Sequence, residues 1–344
     1  MKERKILTVI VPIYNSENYL EKCINNLNKM IGDFKNSVEV LLINDGSTDN
    51  SLQYLKSKTK DLTEYKIINK PHTGVSDTRN YGIRNAAGKY ITFLDSDDSY
   101  KEDFISHFLL EVKNEPDIVW NDVINIKNSY FLEIKDDDIR LSLMEMVLGI
   151  TKQKIQEGIA SKFYKLSFLK ENELVFNSKV VISEDTLFIL QALDKARSIY
   201  LSNEQFYFVL NEHSLNRFNP KTLEGELEYR NQVAIILGNY KKSKIKRLID
   251  DRTKINGFCT LIYRYFGPLV ENKKMTISQA AKRLKEIAKG HQYIDSFGNG
   301  KLDHTVTKRY KLLRILLSNG KYKLALKVDI LIDKLKRNNW NIIK

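Results

Sequence analysis

Three carboxylates stand close together at the end of the segment Gly88–Asp98, at Asp95, Asp97 and Asp98. The alternating apolar run Tyr90–Leu94 before them predicts a buried strand. Carboxylates packed so closely raise one another's pKa unless a positive charge lies among them. Mg²⁺ and Mn²⁺ prefer oxygen ligands and are often shared with substrate phosphates. The spacing therefore indicates a site for a metal and a phosphate-bearing ligand. A solvated acidic turn is the alternative, because Asp and Ser are ordinary turn residues.

Elements of alternating type surround this segment. Leu7–Val11 and Val38–Ile43 are near-continuous apolar runs, which are typical of strands buried on both faces. Helical spacing follows the first run at Tyr19–Leu27, and Gly74–Ala87 predicts another helix. Such alternation favours an α/β fold with a mostly parallel, Rossmann-like sheet flanked by helices.

Polar loops follow three of the predicted strands, at Pro12–Glu17, Asn44–Asp49 and Asp95–Asp98. In a parallel sheet such loops gather at one edge, which is where ligands bind. Further along the chain, Val180–Thr186 is a strand-like run, which turns into a helical pattern at Leu187.

The charge of the chain is unevenly distributed. The formal net charge is +13, and residues 225–344 hold 27 Lys and Arg against 10 Asp and Glu. This excess predicts an anionic partner, which could be a polymer, an acidic lipid or nucleic acid. We disfavour nucleic acid, because the sequence has no aromatic single-strand platform and no groove-reading motif.

The sequence also indicates a location. It contains no stretch of about 18 apolar residues that would predict a membrane-spanning helix, and its first residues do not resemble a signal peptide. Its two cysteines, Cys23 and Cys259, do not form the pattern of a disulfide framework. We therefore expect a cytoplasmic protein, peripheral on the inner face of the plasma membrane if the basic region binds acidic lipid.

Together the motifs resemble those of family 2 nucleotide-sugar glycosyltransferases with the GT-A fold. The matching segments, in the order found in the family, are Val9–Glu17, Ile43–Asp49, Gly74–Gly82, Ala87–Asp98 and Ser183–Thr186. The resemblance extends from residue 6 to about residue 217. It implies a glycosyltransferase domain at 1–220, followed at 221–344 by a basic helical region that contacts the acceptor, the membrane or a second subunit of a homo-oligomer.

The resemblance implies a role for each matching side chain at the donor. The residues implied to enclose its base and ribose are Pro12, Tyr14, Asn15 and Glu17. Asp45 would accept a hydrogen bond from the uracil ring, and His72 stands near it where the family often has Asn. Arg79 would bring its charge to the phosphates. Asp95 would contact the ribose, with Ser96 beside it in the nucleotide-sugar site.

The resemblance also implies a metal site and a catalytic base. Asp97 and His213 would ligate Mn²⁺ or Mg²⁺. Asp185 would act as the base, with Glu184 binding the acceptor or supporting the base. From local sequence alone, a helix N-cap is the favoured role of Asp185, and the resemblance reverses that preference.

Three further positions leave alternatives open. Lys162 and Arg217 would contact the acceptor or the phosphates, although Lys162 is also compatible with an exposed surface lysine. Trp120 follows the acidic loop and could stack on a sugar ring or belong to the core.

The implied reaction is the inverting transfer of a hexosyl or N-acetylhexosaminyl group from a nucleotide donor, expected to be a UDP-sugar. The acceptor would be a hydroxyl of a bacterial surface-glycan precursor, as in capsule, exopolysaccharide or teichoic acid. One carboxylate base is sufficient for inversion. A non-catalytic module that binds nucleotide-sugar or glycan is an alternative. A nucleotidyltransferase is disfavoured, because the loop Pro12–Glu17 has no glycine to cradle phosphates.

Overall fold

The structure of the chain, a computed structural model, describes residues 5–156, 158–210 and 218–343, without the side chains of 336–343. The described residues form two compact units. The first unit contains the described residues up to Val147, Lys152–Ser178 and residues 184–210. The second contains Leu148–Thr151, Lys179–Ser183 and the described residues from 218 onward.

An eight-stranded sheet and a two-stranded sheet lie in the first unit. In chain order the strands are β1 Leu7–Ile13, β2 Val38–Asp45, β3 Tyr65–Lys70, β4 Tyr90–Phe93, β5 Ser99–Tyr100, β6 Ile118–Trp120, β7 Tyr130–Glu133, β8 Lys162–Lys165, β9 Ser198–Leu201 and β10 Tyr207–Phe208. The α-helices of this unit are α1 Leu20–Ile31, α2 Ser51–Lys58, α3 Val75–Asn85, α4 Phe104–Glu111, α5 Asp137–Val147, α6 Leu166–Glu171 and α7 Glu184–Lys195.

The large sheet has the strand order β3-β2-β1-β4-β8-β6-β9-β7. Its first four strands, β3, β2, β1 and β4, are parallel to one another. β8 is antiparallel to both of its neighbours, β6 and β9 are parallel, and β7 is antiparallel to β9. β5 and β10 pair antiparallel in the small sheet. The loops after β1, β2 and β4 therefore meet at one edge, as the sequence predicts.

Apolar burial on both faces explains the central strands. Every residue of β1 except Pro12 is buried, which matches a continuous apolar run rather than an alternating one. Gly82 lets α3 lie directly on β1, because a Cβ there would lie 2.5 Å from Ile10 Cγ2. A Cβ at Gly88 would likewise lie 2.5 Å from the backbone N of Thr8.

The predicted strand at Val180–Thr186 was wrong. Lys179–Ser183 belongs to the second unit and has no regular secondary structure, and α7 begins directly after it at Glu184. A Cβ at Gly225 would lie 2.9 Å from the carbonyl oxygen of Lys179. The segment is therefore covered by a helix rather than paired with a strand.

The second unit is helical in its described part. Its α-helices are α8 Thr222–Gly238, α9 Lys244–Thr260, α10 Gly267–Glu271, α11 Ile277–Gly290, α12 Ile294–Phe297, α13 Lys308–Ser318 and α14 Tyr322–Ile343, with a π-helical segment at Leu261–Phe266. The basic helical region predicted after the glycosyltransferase domain is thus present. Within the described residues, no helix combines the length and apolarity needed to cross a bilayer.

Candidate active site

Hydrogen bonds cross-link the loops that follow β1 and β2. Asn15 has a left-handed backbone, with φ of 50°. Its side-chain oxygen accepts the N–H of Thr48 at 2.8 Å, and its own N–H donates to Ser47 Oγ at 3.0 Å. Glu17 Oε2 accepts the N–H of Asn50 at 2.9 Å. Asn15 and Glu17, two of the residues implied to enclose the donor, therefore hold these loops together.

Tyr14 and His72 form an exposed stack of two rings, with centroids 4.1 Å apart and planes inclined by 24°. Tyr14 is 46% exposed and the His72 side chain 53% exposed. His72 Nδ1 lies 2.9 Å from Asp45 Oδ2. Pro12 lies within β1, opposite Ile43 of β2. The stack presents a flat ring surface at the sheet edge, against which a planar base can pack.

Asp45 is a buried carboxylate at the end of β2. Its Oδ1 accepts the N–H of Thr73 and its Oδ2 the N–H of Gly74, both at 2.9 Å, and Lys70 Nζ donates to Oδ1. Burial acts to raise its pKa, but the Lys70 ammonium and the two backbone donors outweigh burial and lower it. Asp45 thus fixes the loop on which His72 stands, and its contact with uracil stays a prediction.

Lys70 is a residue of the site that the sequence analysis missed. Its side chain is only 10% exposed, and it stands opposite Asp45 in the parallel register of β2 and β3. The sequence does not show the register of β2 and β3, which places their last residues, Asp45 and Lys70, side by side.

The acidic loop after β4 gives its carboxylates different environments. Asp98 is buried, and it accepts the hydroxyl of Tyr207 at 2.6 Å and the N–H of Leu210 at 3.0 Å. Burial raises the pKa of Asp98, although these two hydrogen bonds act to lower it. Asp97 is partly exposed, and Asp95 keeps 47% of its side chain exposed. Asp98 therefore anchors the segment around β10, while Asp95 and Asp97 are accessible to a ligand.

The chemistry of this donor set fits a divalent metal that is shared with phosphate. Within the described residues, no group of three or more His, Cys, Asp or Glu side chains is placed to hold a metal on its own. Mg²⁺ is usually held by one or two carboxylates together with substrate phosphates, and Asp95 and Asp97 could supply them. His213 and Arg217, the remaining predicted ligands of metal and phosphate, lie outside the described residues.

Arg79 of α3 is a buried cation among three carboxylates. Its Nη1 donates to Asp185 Oδ1 at 2.6 Å and to Glu184 Oε1 at 3.4 Å, and its Nη2 donates to Asp95 Oδ1 at 3.2 Å. Burial opposes its charge, but Asp185, Asp95 and Glu184 outweigh burial and raise its pKa. The guanidinium implied to reach the phosphates therefore joins the acidic loop to the start of α7.

Asp185 and Glu184 lie in the first turn of α7. Burial raises the pKa of Glu184 to about 7, helped by the like charge of Asp185 and opposed by Arg79. Burial also raises the pKa of Asp185, while Arg79 and the backbone N–H of Ile159 oppose the rise. A carboxylate pair tuned towards neutral pH is suited to accept a proton. The helix-cap alternative alone does not account for the bond to Arg79.

Lys162 of β8 is buried, so the alternative of an exposed lysine was wrong. Its Nζ donates to the carbonyl oxygens of Gln156, Gly158 and Ala160 at 2.8, 2.7 and 3.1 Å. This loop adjoins the candidate base, because a Cβ at Gly158 would lie 3.5 Å from Asp185 Oδ2. The ammonium is therefore held by the loop, in place of the predicted contact with acceptor or phosphate.

Two other side chains lie in the interior. Ser96 is buried, and its hydroxyl donates to Ser16 Oγ at 2.9 Å, which ties the acidic loop to the loop after β1. Trp120 is fully buried, so the core alternative was right and stacking on a sugar was wrong.

Comparison with known proteins agrees with this architecture. Residues 8–173 match the family model described as Glycosyl transferase family 2. The chain is 27% identical over 330 residues to a poly(ribitol-phosphate) beta-glucosyltransferase of Bacillus spizizenii, covering 91% of this chain and 48% of that protein. It is 28% identical over 205 residues to the poly(ribitol-phosphate) beta-N-acetylglucosaminyltransferase TarS of Staphylococcus aureus, covering 58% and 35%. The chain thus spans half or less of these relatives.

The fold is also that of a solved relative. Residues 1–349 of S. aureus TarS, in complex with UDP, superpose with a TM-score of 0.62 at 19% identity, covering 96% of this chain and 91% of that one. The sheet and helices thus form a GT-A fold, and the predictions of fold and family are confirmed. Residues 8–173 thus form a domain that matches glycosyl transferase family 2.

Proposed function

We propose that the protein is an inverting glycosyltransferase that moves a sugar from a UDP-sugar to a hydroxyl of a teichoic-acid-type, polyol-phosphate polymer of the bacterial surface. The observation that carries this proposal is the position of Arg79, which binds Asp95 of the acidic loop at 3.2 Å and Asp185 of α7 at 2.6 Å. One buried cation thereby joins Asp95, the proposed donor-site carboxylate, to Asp185, the proposed base. The names of the two relatives support the polymer class of the acceptor.

The donor would bind at the edge formed by the loops after β1, β2 and β4. Its base would pack on the exposed stack of Tyr14 and His72, whose centroids are 4.1 Å apart. Asp45 and Lys70 would keep the loop of His72 in place. Asp95 would accept a hydrogen bond from the ribose, and the diphosphate would lie beyond it, towards the partly exposed Asp97.

Asp97, with Asp95 beside it, would hold Mn²⁺ or Mg²⁺ together with the diphosphate. When bound, the metal would neutralise the charge that develops on the leaving phosphate.

Asp185 would take the proton of the acceptor hydroxyl while the hydroxyl oxygen attacks the anomeric carbon of the sugar. The bond from that carbon to the phosphate oxygen breaks, and UDP leaves with the electron pair. Because attack and departure occur on opposite faces of the sugar, the anomeric configuration inverts. Glu184 would bind the acceptor or support the base, since burial raises its pKa to about 7. Lys162 would keep Gly158, whose carbonyl oxygen it binds, beside the base.

The test of this proposal is Asp185→Asn. The variant keeps the size of the side chain and one acceptor for Arg79 but removes the base, so turnover should be abolished while UDP affinity stays nearly unchanged. UDP affinity is measured as the rise in thermal stability that UDP causes. GDP, CDP and dTDP are measured for comparison, and each nucleotide is tested with and without Mn²⁺. A hundredfold excess of ligand over Kd stabilises the folded state by about 2.7 kcal/mol.

The controls separate the two parts of the proposal. Glu184→Gln, in the same turn of α7, should reduce turnover less than Asp185→Asn. Retained turnover in Asp185→Asn would refute the assignment of the base. A wild-type chain that gains no stability from any nucleotide would favour a non-catalytic module over an enzyme.

We also propose that the second unit contacts an anionic membrane surface. Leu324, Leu331 and Leu335 of α14 are 44, 57 and 55% exposed, and their spacing of seven and four residues places them on one face of the helix. The Lys-rich sequence of α14 supplies positive charge beside these leucines. Apolar insertion together with attraction to acidic headgroups is the usual basis of peripheral membrane binding.

A further inference from the structure

A basic cavity lies in the second unit near the start of α9. Its volume is about 740 Å³, which is the size of a small-molecule site. Its cationic lining consists of Arg230, Lys242, Lys246, Arg247 and Lys254, and its one acidic lining residue is Asp250.

The acidic residue of the cavity is already neutralised. Arg230 is buried, and its Nη2 donates to Asp250 Oδ1 at 2.7 Å. Lys254 Nζ donates to Asp250 Oδ2 at 2.8 Å. These two cations hold the pKa of Asp250 below its usual value, although burial acts to raise it. Lys242 and Arg247 are both exposed. Asp250 therefore does not cancel their positive charge, although Arg247 Nε also lies 3.7 Å from Asp251 Oδ2.

A second cavity of about 750 Å³ adjoins the first and shares Lys242, Ser243 and Arg247 with it. Lys244 and Lys301 add two further cations to its lining, against one carboxylate, Asp295. Ser243 is the N-cap of α9, and its side chain accepts the N–H of Lys246 at 3.1 Å. The positive end of the helix dipole therefore adds to the charge of the shared wall.

We propose that these two cavities, together termed the α9 groove, bind consecutive phosphates of a polyol phosphodiester chain. The proposal rests on the proposed function, because it makes the groove a second binding site for the acceptor polymer, separate from the site that carries out transfer. Adjoining cavities that share a cationic wall match a ligand whose negative charges repeat along a flexible chain. The apolar lining residues Leu227, Ala234 and Leu237 offer contact to the carbon chain of the polyol.

The lining argues against the other anionic partners. Within the described residues, neither cavity is lined by Phe, Tyr or Trp, on which the bases of a single-stranded nucleic acid would stack. A bilayer surface is broad and cannot enter a concave site, whereas a single polymer chain can.

The test uses the full chain and the variant Lys242→Glu/Arg247→Glu, which reverses two charges of the shared wall. The matched control is Lys282→Glu/Lys285→Glu, which reverses two exposed charges of α11 that line neither cavity. Binding of fluorescently labelled poly(ribitol phosphate) is measured by anisotropy, and the KM for the same polymer is measured in turnover. Both Kd and KM should rise about tenfold in the groove variant, corresponding to about 1.4 kcal/mol. The control should stay within about twofold.

The outcomes separate the groove from the active site. Unchanged polymer affinity in the groove variant, or an equal loss in the control, would overturn the proposal. The proposal would also be overturned if single-stranded DNA displaced the polymer at an equal phosphate concentration. The same holds if the groove variant lost binding to phosphatidylglycerol vesicles but kept its binding to the polymer. If the wild-type chain neither binds UDP nor turns over a UDP-sugar, the proposed function fails. The anisotropy measurement still shows whether the groove binds the polymer.

Discussion

The charge of Arg79 sets the ionisation of the candidate base, and the variant Arg79→Gln tests this directly. The guanidinium lies 2.6 Å from Asp185 and 3.4 Å from Glu184. Without it, Asp185 loses the cation that stabilises its charged form, so the pKa of Asp185 rises and less of it is ionised at neutral pH. Turnover should therefore fall at pH 7, and the optimum should move to higher pH.

The size of the effect follows from the geometry. Two unit charges about 4 Å apart interact by about 4 kcal/mol at an effective dielectric constant of about 20. The side chains of Asp185 and Glu184 are 21 and 18% exposed, and solvent screening at these faces reduces the energy to roughly half. The remaining energy of about 2 kcal/mol corresponds to a decrease of about 30-fold in turnover at pH values below the pKa of Asp185, and to a smaller decrease above it.

The assay is UDP release from a UDP-sugar and poly(ribitol phosphate) between pH 5.5 and 9.5, with UDP affinity measured in parallel. Arg79→Lys keeps the charge but cannot reach both carboxylates in the same way, so it should shift the profile less. Arg84→Gln removes an exposed arginine of the same helix and should leave the profile unchanged. If Arg79→Gln keeps the wild-type pH profile but binds UDP at least about tenfold more weakly, Arg79 is a phosphate ligand and the charge argument fails.

Three further predictions concern stability and membrane contact. Lys162→Met leaves three carbonyl oxygens without their donor, so it should lower the free energy of unfolding by about 2–4 kcal/mol in urea. The exposed Lys170→Met should cost under about 0.5 kcal/mol. Burial raises the pKa of Glu226 from 4.5 to about 8, so the folded protein retains a proton that the unfolded chain releases. Stability should fall as pH rises from about 4.5 to 8, and Glu226→Gln should reduce this slope in urea unfolding at pH 5, 7 and 8.5, while Glu184 continues to contribute to it. Leu331→Glu/Leu335→Glu should reduce sedimentation with phosphatidylglycerol vesicles, and unchanged sedimentation would contradict the membrane proposal.

Point variants are the right tool at α14, because a deletion would disturb the core of the second unit. Ala325 and Leu326 of α14 and Leu313 and Leu317 of α13 are buried. Removing these helices would therefore expose apolar surface and destabilise the second unit. A loss of vesicle binding could then not be distinguished from unfolding.

The sheet edge could be predicted from the sequence because strand burial leaves a strong pattern. β1 and β2 are continuous apolar runs that end in polar residues, and parallel strands bring such ends together. The partners of those residues could not be predicted in the same way. Asp45 meets Lys70 through strand register, and Asp98 meets Tyr207 across 109 positions of the chain. Neither pairing has a local sequence signal.

Side-chain environment was the other limit. Lys162 lies in a short run that is equally compatible with the surface, and only the carbonyl oxygens of the preceding loop show why its ammonium is buried. Similarly, the pattern around Asp185 suits a helix cap, whereas its bond to Arg79 depends on how α3 and α7 pack. The strand predicted at Val180–Thr186 was wrong because a short apolar run does not reveal which kind of element covers it.

The cross-linked loops after β1 and β2 have a consequence for anyone who wishes to change the donor. Asn15 and Thr48, and Glu17 and Asn50, are bonded across the loops at 2.8 and 2.9 Å. Replacing one loop alone with that of another transferase would leave backbone N–H groups of the other without acceptors. The two loops therefore behave as a single exchangeable module, and donor selectivity should transfer between enzymes only when both are grafted together.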